Sequence, residues 1–552
     1  MKRMLSALLS CVMLLALLSS CGDGTQGNVQ GNVQGDAQTD GEGGDTAQTK
    51  TIVIGGQSDL VTLDPGNMYE PYANMISYAA YDMLYRIQSG TMGTPEPSVA
   101  TDYEVDDTGT VYTFHLRDDV VFASGNPLTA KDVVWSVNRV LNMKESNAYS
   151  NVKIVEKVEA PDDYTVVFTL TDPDASFLIK LTSNAYCILD SELVKQHGGS
   201  DSGGDTAKEW LDTTSAGSGP YIIDSWTPQE QLVLKKNPNY WGESSNIDTI
   251  IFREMTSVDA QITALKNGDV DIILGLNSET AKQLDGVEGI TVTNGPTAML
   301  TFLVMSRDES LSPEMSNPLV QEAVRYALDY EGYLTLGGDG CTVPLNFVQE
   351  GFSGGLERDL TTDGRDLEKA RALMAEAGYA DGFEVTLTCA NNNSEGLAWT
   401  TIAQKVAQDL AEINITVKIE TLETTIVYEK MREGSMPFYV MFWTPDYYDI
   451  NNQIDAFLPG VGDDGTAYGN RTMWERTAEN EELWTLGNQI KVETDEATRA
   501  QLSEQLQQAF ALDNPFAFLL QHPKTFAYNN TTLETVTYND LCKIELCELT
   551  AK

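Results

Sequence analysis

Residues 383–419 constrain the fold more than any other stretch of the chain. Residues 383–388 have the pattern of a strand. Ile402, Val406, Leu410 and Ile413 stripe one face of a helix, and Ile415, Val417 and Ile419 alternate in a second strand. Strand, helix and strand in succession predict a parallel pair with a crossover helix, hence an α/β domain. Similar punctuation runs through the rest. Residues 51–55 alternate weakly as a strand. Asp107-Thr108-Gly109 is a hairpin turn before Tyr112, Phe114 and Leu116, which alternate with Thr113, His115 and Arg117. Thr129, with Asp132 three residues on, opens a helix striped by Val133, Val137 and Val140. Pro161-Asp162-Asp163 leads into a second alternating strand, 164–170. Asn317 and Pro318 start a further helix, and Asp366 caps another that ends at Gly378. In Leu63-Asp64-Pro65-Gly66 the proline fixes φ and the glycine permits a reversal.

The first twenty residues have the form of an export signal. Lys2 and Arg3 precede an apolar run, 4–18, broken only by Ser6 and Ser10. Fifteen residues fall short of the ~20 that span a bilayer. Leu18-Ser19-Ser20-Cys21 resembles the bacterial lipobox, in which the cysteine thiol takes a diacylglyceryl group and becomes the new N-terminus. Residues 21–49 follow as a flexible tether. After Cys21 it holds eight glycines, a repeated GNVQ (27–34), five acidic residues and no aromatic, too little to offset ordering entropy. As a flexible coil it reaches roughly 30 Å. The 552-residue chain leaves enough after the tether for two or more domains. With 35 basic and 82 acidic residues the net charge is −47, which argues against nucleic acid and anionic lipid as partners. Cys187, Cys341, Cys389, Cys542 and Cys547 remain besides Cys11 and Cys21. Five is odd, Cys542 and Cys547 are near enough to close a small loop, and no C-x-x-C occurs.

Several motifs occur in one order: Leu63-Asp64-Pro65; Pro97-Ser98-Val99-Ala100; Tyr112-Thr113-Phe114-His115-Leu116-Arg117; Gly125, Pro127-Leu128-Thr129-Ala130, Asp132-Val133 and Trp135-Ser136; Gly217-Ser218-Gly219-Pro220-Tyr221; Asn237-Pro238-Asn239-Tyr240-Trp241; Gly268-Asp269-Val270-Asp271; Asn317-Pro318-Leu319-Val320; Ala375-Glu376-Ala377-Gly378-Tyr379. In this the chain resembles family 5 of the extracytoplasmic solute-binding proteins, which serve ABC importers of dipeptides, oligopeptides and nickel complexes. The resemblance covers nearly everything after the tether. It implies an α/β, two-lobed periplasmic-binding-protein fold of type II, in the large class with an extra small domain. Carried over, lobe I is 50–88, 184–296 and 521–552, the small domain is 89–183, and lobe II is 297–520. Hinge crossings are expected near Pro296 and Gln521, with the ligand between the lobes. The signature segment itself holds no cluster of titratable groups and reads as fold.

The resemblance also suggests site residues. Phe442-Trp443-Thr444-Pro445-Asp446-Tyr447-Tyr448-Asp449 is similar to the loop in which family members that bind peptides place an aspartate against the ligand's α-ammonium. Asp446 takes that role, with Trp443, Thr444 and Tyr447 on the same wall and Tyr69 and Tyr72 opposite. An enclosed carboxylate suits a cation through charge-assisted hydrogen bonds. One departure stands out. Some oligopeptide binders carry a base on the preceding strand, whereas Phe438-Tyr439-Val440-Met441 has none, and neither does the segment 389–400. A peptide carboxylate then meets backbone N–H groups or a base elsewhere, or the ligand has no carboxylate.

Enzyme motifs are weak. Gly351-Phe352-Ser353-Gly354-Gly355 fits G-x-S-x-G, but without the strand and helix that a nucleophile elbow needs. His115, His197 and His522 are far apart, and Asp463-Asp464-Gly465 lacks the spaced carboxylates of a calcium loop. The expectation is a monomeric, non-enzymatic binding subunit on the outer face of the bacterial membrane, without cofactor or metal. Its partners are a short peptide, an ABC permease with its ATPase, and the membrane through lipid on Cys21. A nickel chelate, oligosaccharide or opine is the alternative ligand, and a surface hydrolase or adhesion protein the more distant alternative.

Overall fold

Three larger sheets organise the described residues. The computed structural model describes residues 49–552, apart from 59, 69, 70, 90, 92, 145–147, 296, 353, 357, 446, 459–470 and 540–542. A seven-stranded sheet runs in the order Ile290–Gly295, Lys524–Asn529, Ile272–Leu276, Thr51–Gly56, Thr249–Glu254, Gln231–Lys236, Tyr221–Thr227. A five-stranded sheet runs Ile415–Leu422, Phe383–Ala390, Phe438–Trp443, Leu300–Met305, Phe516–Gln521. A four-stranded sheet takes Ala100–Val105, Val111–Leu116, Thr165–Leu170 and Val155–Asp162. The five-stranded sheet has one continuous core around it, whereas the seven-stranded sheet buries its two faces in separate clusters. Among the described residues no helix is long and apolar enough to cross a membrane.

The expected β-α-β unit is present. Phe383–Ala390 pairs in parallel with Ile415–Leu422, and the helix Trp399–Ala411 carries the crossover. Ile402, Val406 and Leu410 are fully buried on its inner face. The helix Ala130–Asn142 starts with a full capping box, in which Asp132 accepts from the Thr129 backbone N–H at 3.0 Å. Its valine stripe packs into the core of the four-stranded sheet, each side chain contributing about 1.5–3 kcal/mol by burial. Asn317 and Asp366 cap their helices, and Gly378 sits just past its helix at φ +87°.

Three local readings change. Gly66 is not left-handed. The turn is held by Asp64, whose carboxylate accepts from the Gly66 N–H (3.1 Å) and the Asn67 amide (2.8 Å). Pro161 lies inside the strand Val155–Asp162, so the reversal comes at 163–164. His115 points to solvent and pairs with Asp102 across the ladder at 2.6 Å, so this residue of the strand pattern is not a packed one. Cys187, Cys341, Cys389 and Cys547 carry free thiols, and Cys542 lies outside the described residues.

Asp64 also anchors the four-stranded domain to the first sheet. Arg139, on the helix Ala130–Asn142, donates to Asp64 at 2.7 and 2.8 Å and to Asp205 at 2.7 and 2.9 Å. Arg139 and Asp64 side chains are both fully buried. Burial works against the charges of Arg139 and Asp205. The guanidinium nonetheless stays above its ordinary pKa through Asp64 and Asp205, and Asp205 stays below its own through Arg139.

Candidate functional site

The chain passes between the five- and seven-stranded sheets at two adjacent places. Ile290–Gly295 leads to Leu300–Met305, and Phe516–Gln521 leads to Lys524–Asn529. Leu300 pairs with Gln521 in one sheet, and Gly295 pairs with Lys524 in the other. The crossings therefore run side by side.

Polar side chains hold this double crossing. The Gln521 amide donates to the carbonyls of Thr297 (2.8 Å) and Glu350 (3.0 Å) and accepts from the Glu350 N–H at 2.8 Å. The His522 carbonyl accepts from Thr297 Oγ1 at 2.6 Å, and its Nε2 lies 2.7 Å from Thr301 Oγ1. Thr301 donates to Ser394 Oγ (3.3 Å), which also accepts from the Trp399 indole at 2.8 Å. Burial pushes the His522 imidazole down to about 4 against the opposing pull of Glu395, so it is neutral near pH 7. Lys524, the first residue after the crossing, donates to Glu395 at 2.7 Å.

Trp443 belongs to the same row. It pairs with Leu300, which pairs with Gln521, so the end of its strand lies beside the crossing. Its half-buried ring meets Phe457 edge-on at 5.3 Å, and Thr444 follows it, also half-buried. Tyr72, near the start of the helix Pro71–Ala80, lies at the C-terminal end of the first strand. A methyl group on Gly56 would come 2.8 Å from its hydroxyl. Asp446, Tyr69 and Cys21 lie outside the described residues, as do Ser353 and Asp463 to Gly465.

Tyr447 is buried, with the Lys180 ammonium 4.8 Å from its ring centre. Burial, then the charges of Asp455, Asp174 and Asp449, hold its phenol well above the ordinary value. Lys180 pairs with Asp174, which also accepts from the Asn451 amide at 3.1 Å, and the Ala175 N–H donates to the Lys491 carbonyl at 2.9 Å. Arg499 braces the far side through Asp449 and Asn451.

Segments that flank the two sheets also touch directly. Ser278, beyond the strand Ile272–Leu276, donates to the Gly337 carbonyl at 3.1 Å. A methyl group on Gly396 would come 2.1 Å from the Asn277 amide, and φ there is +84°. Among the described residues no cluster of His, Cys, Asp and Glu could hold a metal ion.

Sequence pattern missed the polar network at the crossing and the base beside it. Thr301 and His522 are 221 residues apart, and Lys524 and Glu395 are 129 apart. Neither pair leaves a local periodicity. The presence of only three histidines was the one available signal, and it did not distinguish His522 from the others.

The model for the bacterial extracellular solute-binding proteins, family 5, matches residues 94–465. The chain belongs to that family. It is the substrate-binding component of an ABC transporter, works outside the cytoplasm, and has binding proteins, not enzymes, as its relatives. It is 26% identical over 487 residues to the probable D,D-dipeptide-binding periplasmic protein DdpA of Escherichia coli, covering 87% of this chain and 90% of that one. In three dimensions it is similar to HbpA2 from Haemophilus parasuis, with a TM-score of 0.78 at 23% identity, covering 91% of this chain and all of that one. It is also similar to a dipeptide-binding protein of Pseudoalteromonas sp. SM9913 in complex with Met-Leu, with a TM-score of 0.74 at 19% identity, covering 91% and 100%. The fold of this family is two-lobed, and the five- and seven-stranded sheets are its two α/β layers.

Proposed function

We propose that the chain captures short peptides between its lobes and delivers them to the membrane permease of an ABC importer, tethered to the outer face of the bacterial cytoplasmic membrane by lipid on Cys21. Lobe I is 50–88, 184–296 and 521–552, the small domain 89–183, and lobe II 297–520. The carrying observation is the row Trp443–Leu300–Gln521. The strand that leads into Asp446 ends beside the double crossing, so a ligand held at that strand end lies next to the pivot. Asp446 meets the peptide's α-ammonium, Trp443 and Thr444 line its wall, and Tyr69 and Tyr72 frame the other side. Lys524, already paired with Glu395, is the nearest answer to the missing base: a ligand carboxylate would compete with Glu395 for it. The names of the E. coli relative and of the Met-Leu complex favour peptides over chelates or sugars.

Calorimetric titration with a panel of di- to pentapeptides tests the reading. Wild type binds at least one at micromolar affinity or better. Asp446→Ala loses roughly ten-fold or more, as removal of a buried ion-pair partner does, and N-acetylation of the peptide reproduces the loss. Unchanged affinity in that variant removes Asp446 from the site, and a wild type that binds no peptide removes the ligand class. For the anchor, Cys21→Ser moves the protein from the membrane fraction to the soluble one, whereas retention at the membrane refutes lipidation there.

A further inference from the structure

The second lobe holds another cavity, at the opposite end of the strand from the crossing. It opens beside Phe516 and Phe518, at the start of Phe516–Gln521, and has a volume of about 270 Å³. Gln521, at the crossing, lies five residues further on, roughly 16 Å away at strand spacing.

Cations outnumber carboxylates in the lining, against the character of the chain: Arg325, Arg358 and Lys369 face the cavity with Tyr326, beside Glu322 and Asp363. Lys369 is balanced by Glu322 at 3.3 Å. The two half-buried guanidinium groups are not balanced: neither Arg325 nor Arg358 makes an ion pair among the described residues. Arg325 donates to the Asn514 carbonyl at 2.6 Å. Arg358 donates to the carbonyls of Leu345 (2.9 Å) and Asp363 (3.1 Å), lies 4.2 Å from the centre of the Tyr330 ring, and keeps its Nε buried with no partner. Burial, with the like charge of Arg307, pushes Arg325 down to about 10, and Tyr330, Glu322 and Asp513 do not offset it.

Two half-buried guanidinium groups without a direct ion-pair partner cost stability. In a chain with 82 carboxylates and 35 basic residues the missing partner is not a matter of supply. A planar fork of N–H donors matches the oxygens of a carboxylate or phosphate, and the cavity has room for a small molecule bearing two or three such groups. We infer that the cavity between Arg325, Arg358 and Lys369 is a binding site for a small multiply charged oxyanion, separate from the peptide site.

Inorganic phosphate and citrate are the probes, titrated into the full-length exported chain by calorimetry and by thermal melting, with potassium chloride matched for ionic strength. One or both bind with one-to-one stoichiometry at millimolar affinity or better and raise the melting temperature beyond the chloride control. Arg325→Gln and Arg358→Gln each weaken the binding at least ten-fold and leave peptide affinity unchanged. Should either fail to fold, Lys369→Gln decides, because that side chain is largely exposed: it weakens anion binding several-fold. Absence of binding in wild type, an effect that chloride reproduces, or affinity retained in the folded variants would overturn the site. Peptide titration of the same samples keeps this outcome distinct from that of the peptide reading.

Discussion

His522 places a neutral imidazole inside the joint between the lobes. Its folded pKa of about 4 lies below the ordinary 6.5. The unfolded chain therefore binds the extra proton first as pH falls. The associated stability is complete above about 6.5, declines through the window, and is gone below about 4, an amount of about 3 kcal/mol. The charged groups that face the ring are Glu395 and its partner Lys524. Comparison of His522→Gln with wild type by chemical denaturation from pH 7.5 to 4.5 will show a shallower acid limb for the variant. Identical slopes would remove His522 as the cause. Gly396 is constrained twice, by its positive φ and by the Asn277 amide across the lobe boundary. Gly396→Ala is expected to weaken ligand binding by roughly ten-fold through impeded closure, and its positive φ lowers the melting temperature of the empty protein as well.

At the scale of elements, the helix Ala130–Asn142 is a strut as well as a core element. Arg139 in its last turn ties the small domain to the Asp64 turn and to Asp205. Arg139→Ala leaves two buried carboxylates without their cation and is expected to cost about 3–5 kcal/mol in urea denaturation. A loss under 1 kcal/mol would show that water substitutes for the guanidinium. The helix itself was legible in sequence, because its cap and its valine stripe are local. Its fastening was not, because Arg139 reaches Asp64 across 75 residues. The same distinction explains the turn at Asp64, where sequence credits Pro65 and Gly66 and the carboxylate does the holding. It also explains the strand Val155–Asp162, whose burial follows no period of two and whose Pro161 reads as a stop. Trp443 and Thr444 are proposed through resemblance alone, since no pattern of residue types places a strand end beside a crossing. Tyr447 shares their motif and is buried with the Lys180 ammonium 4.8 Å from its ring centre.

For the whole molecule, the proposed lobe bounds make Asn451–Asp174 and Ala175–Lys491 links between the small domain and lobe II, and opening of the lobes is expected to break them. Asn451→Ala removes the amide's hydrogen bonds to Asp174 and the Lys491 carbonyl and the one it accepts from Arg499, each bond to a charged group being worth about 1.5–3 kcal/mol. It should weaken ligand affinity about ten-fold and raise the radius of gyration of the empty protein in X-ray scattering. An unchanged radius and affinity would mean the boundary moves as one body. The double crossing has a further consequence, for synthesis. Lys524–Asn529 is an interior strand of the first sheet, between Ile290–Gly295 and Ile272–Leu276. The sheet begun by Thr51–Gly56 cannot be completed until Lys524–Asn529 has left the ribosome. Until then its neighbouring strands have no partner along one edge, and the native topology is out of reach. A stop codon anywhere ahead of Lys524–Asn529, however far downstream, therefore leaves Ile290–Gly295 without its neighbour in the first sheet.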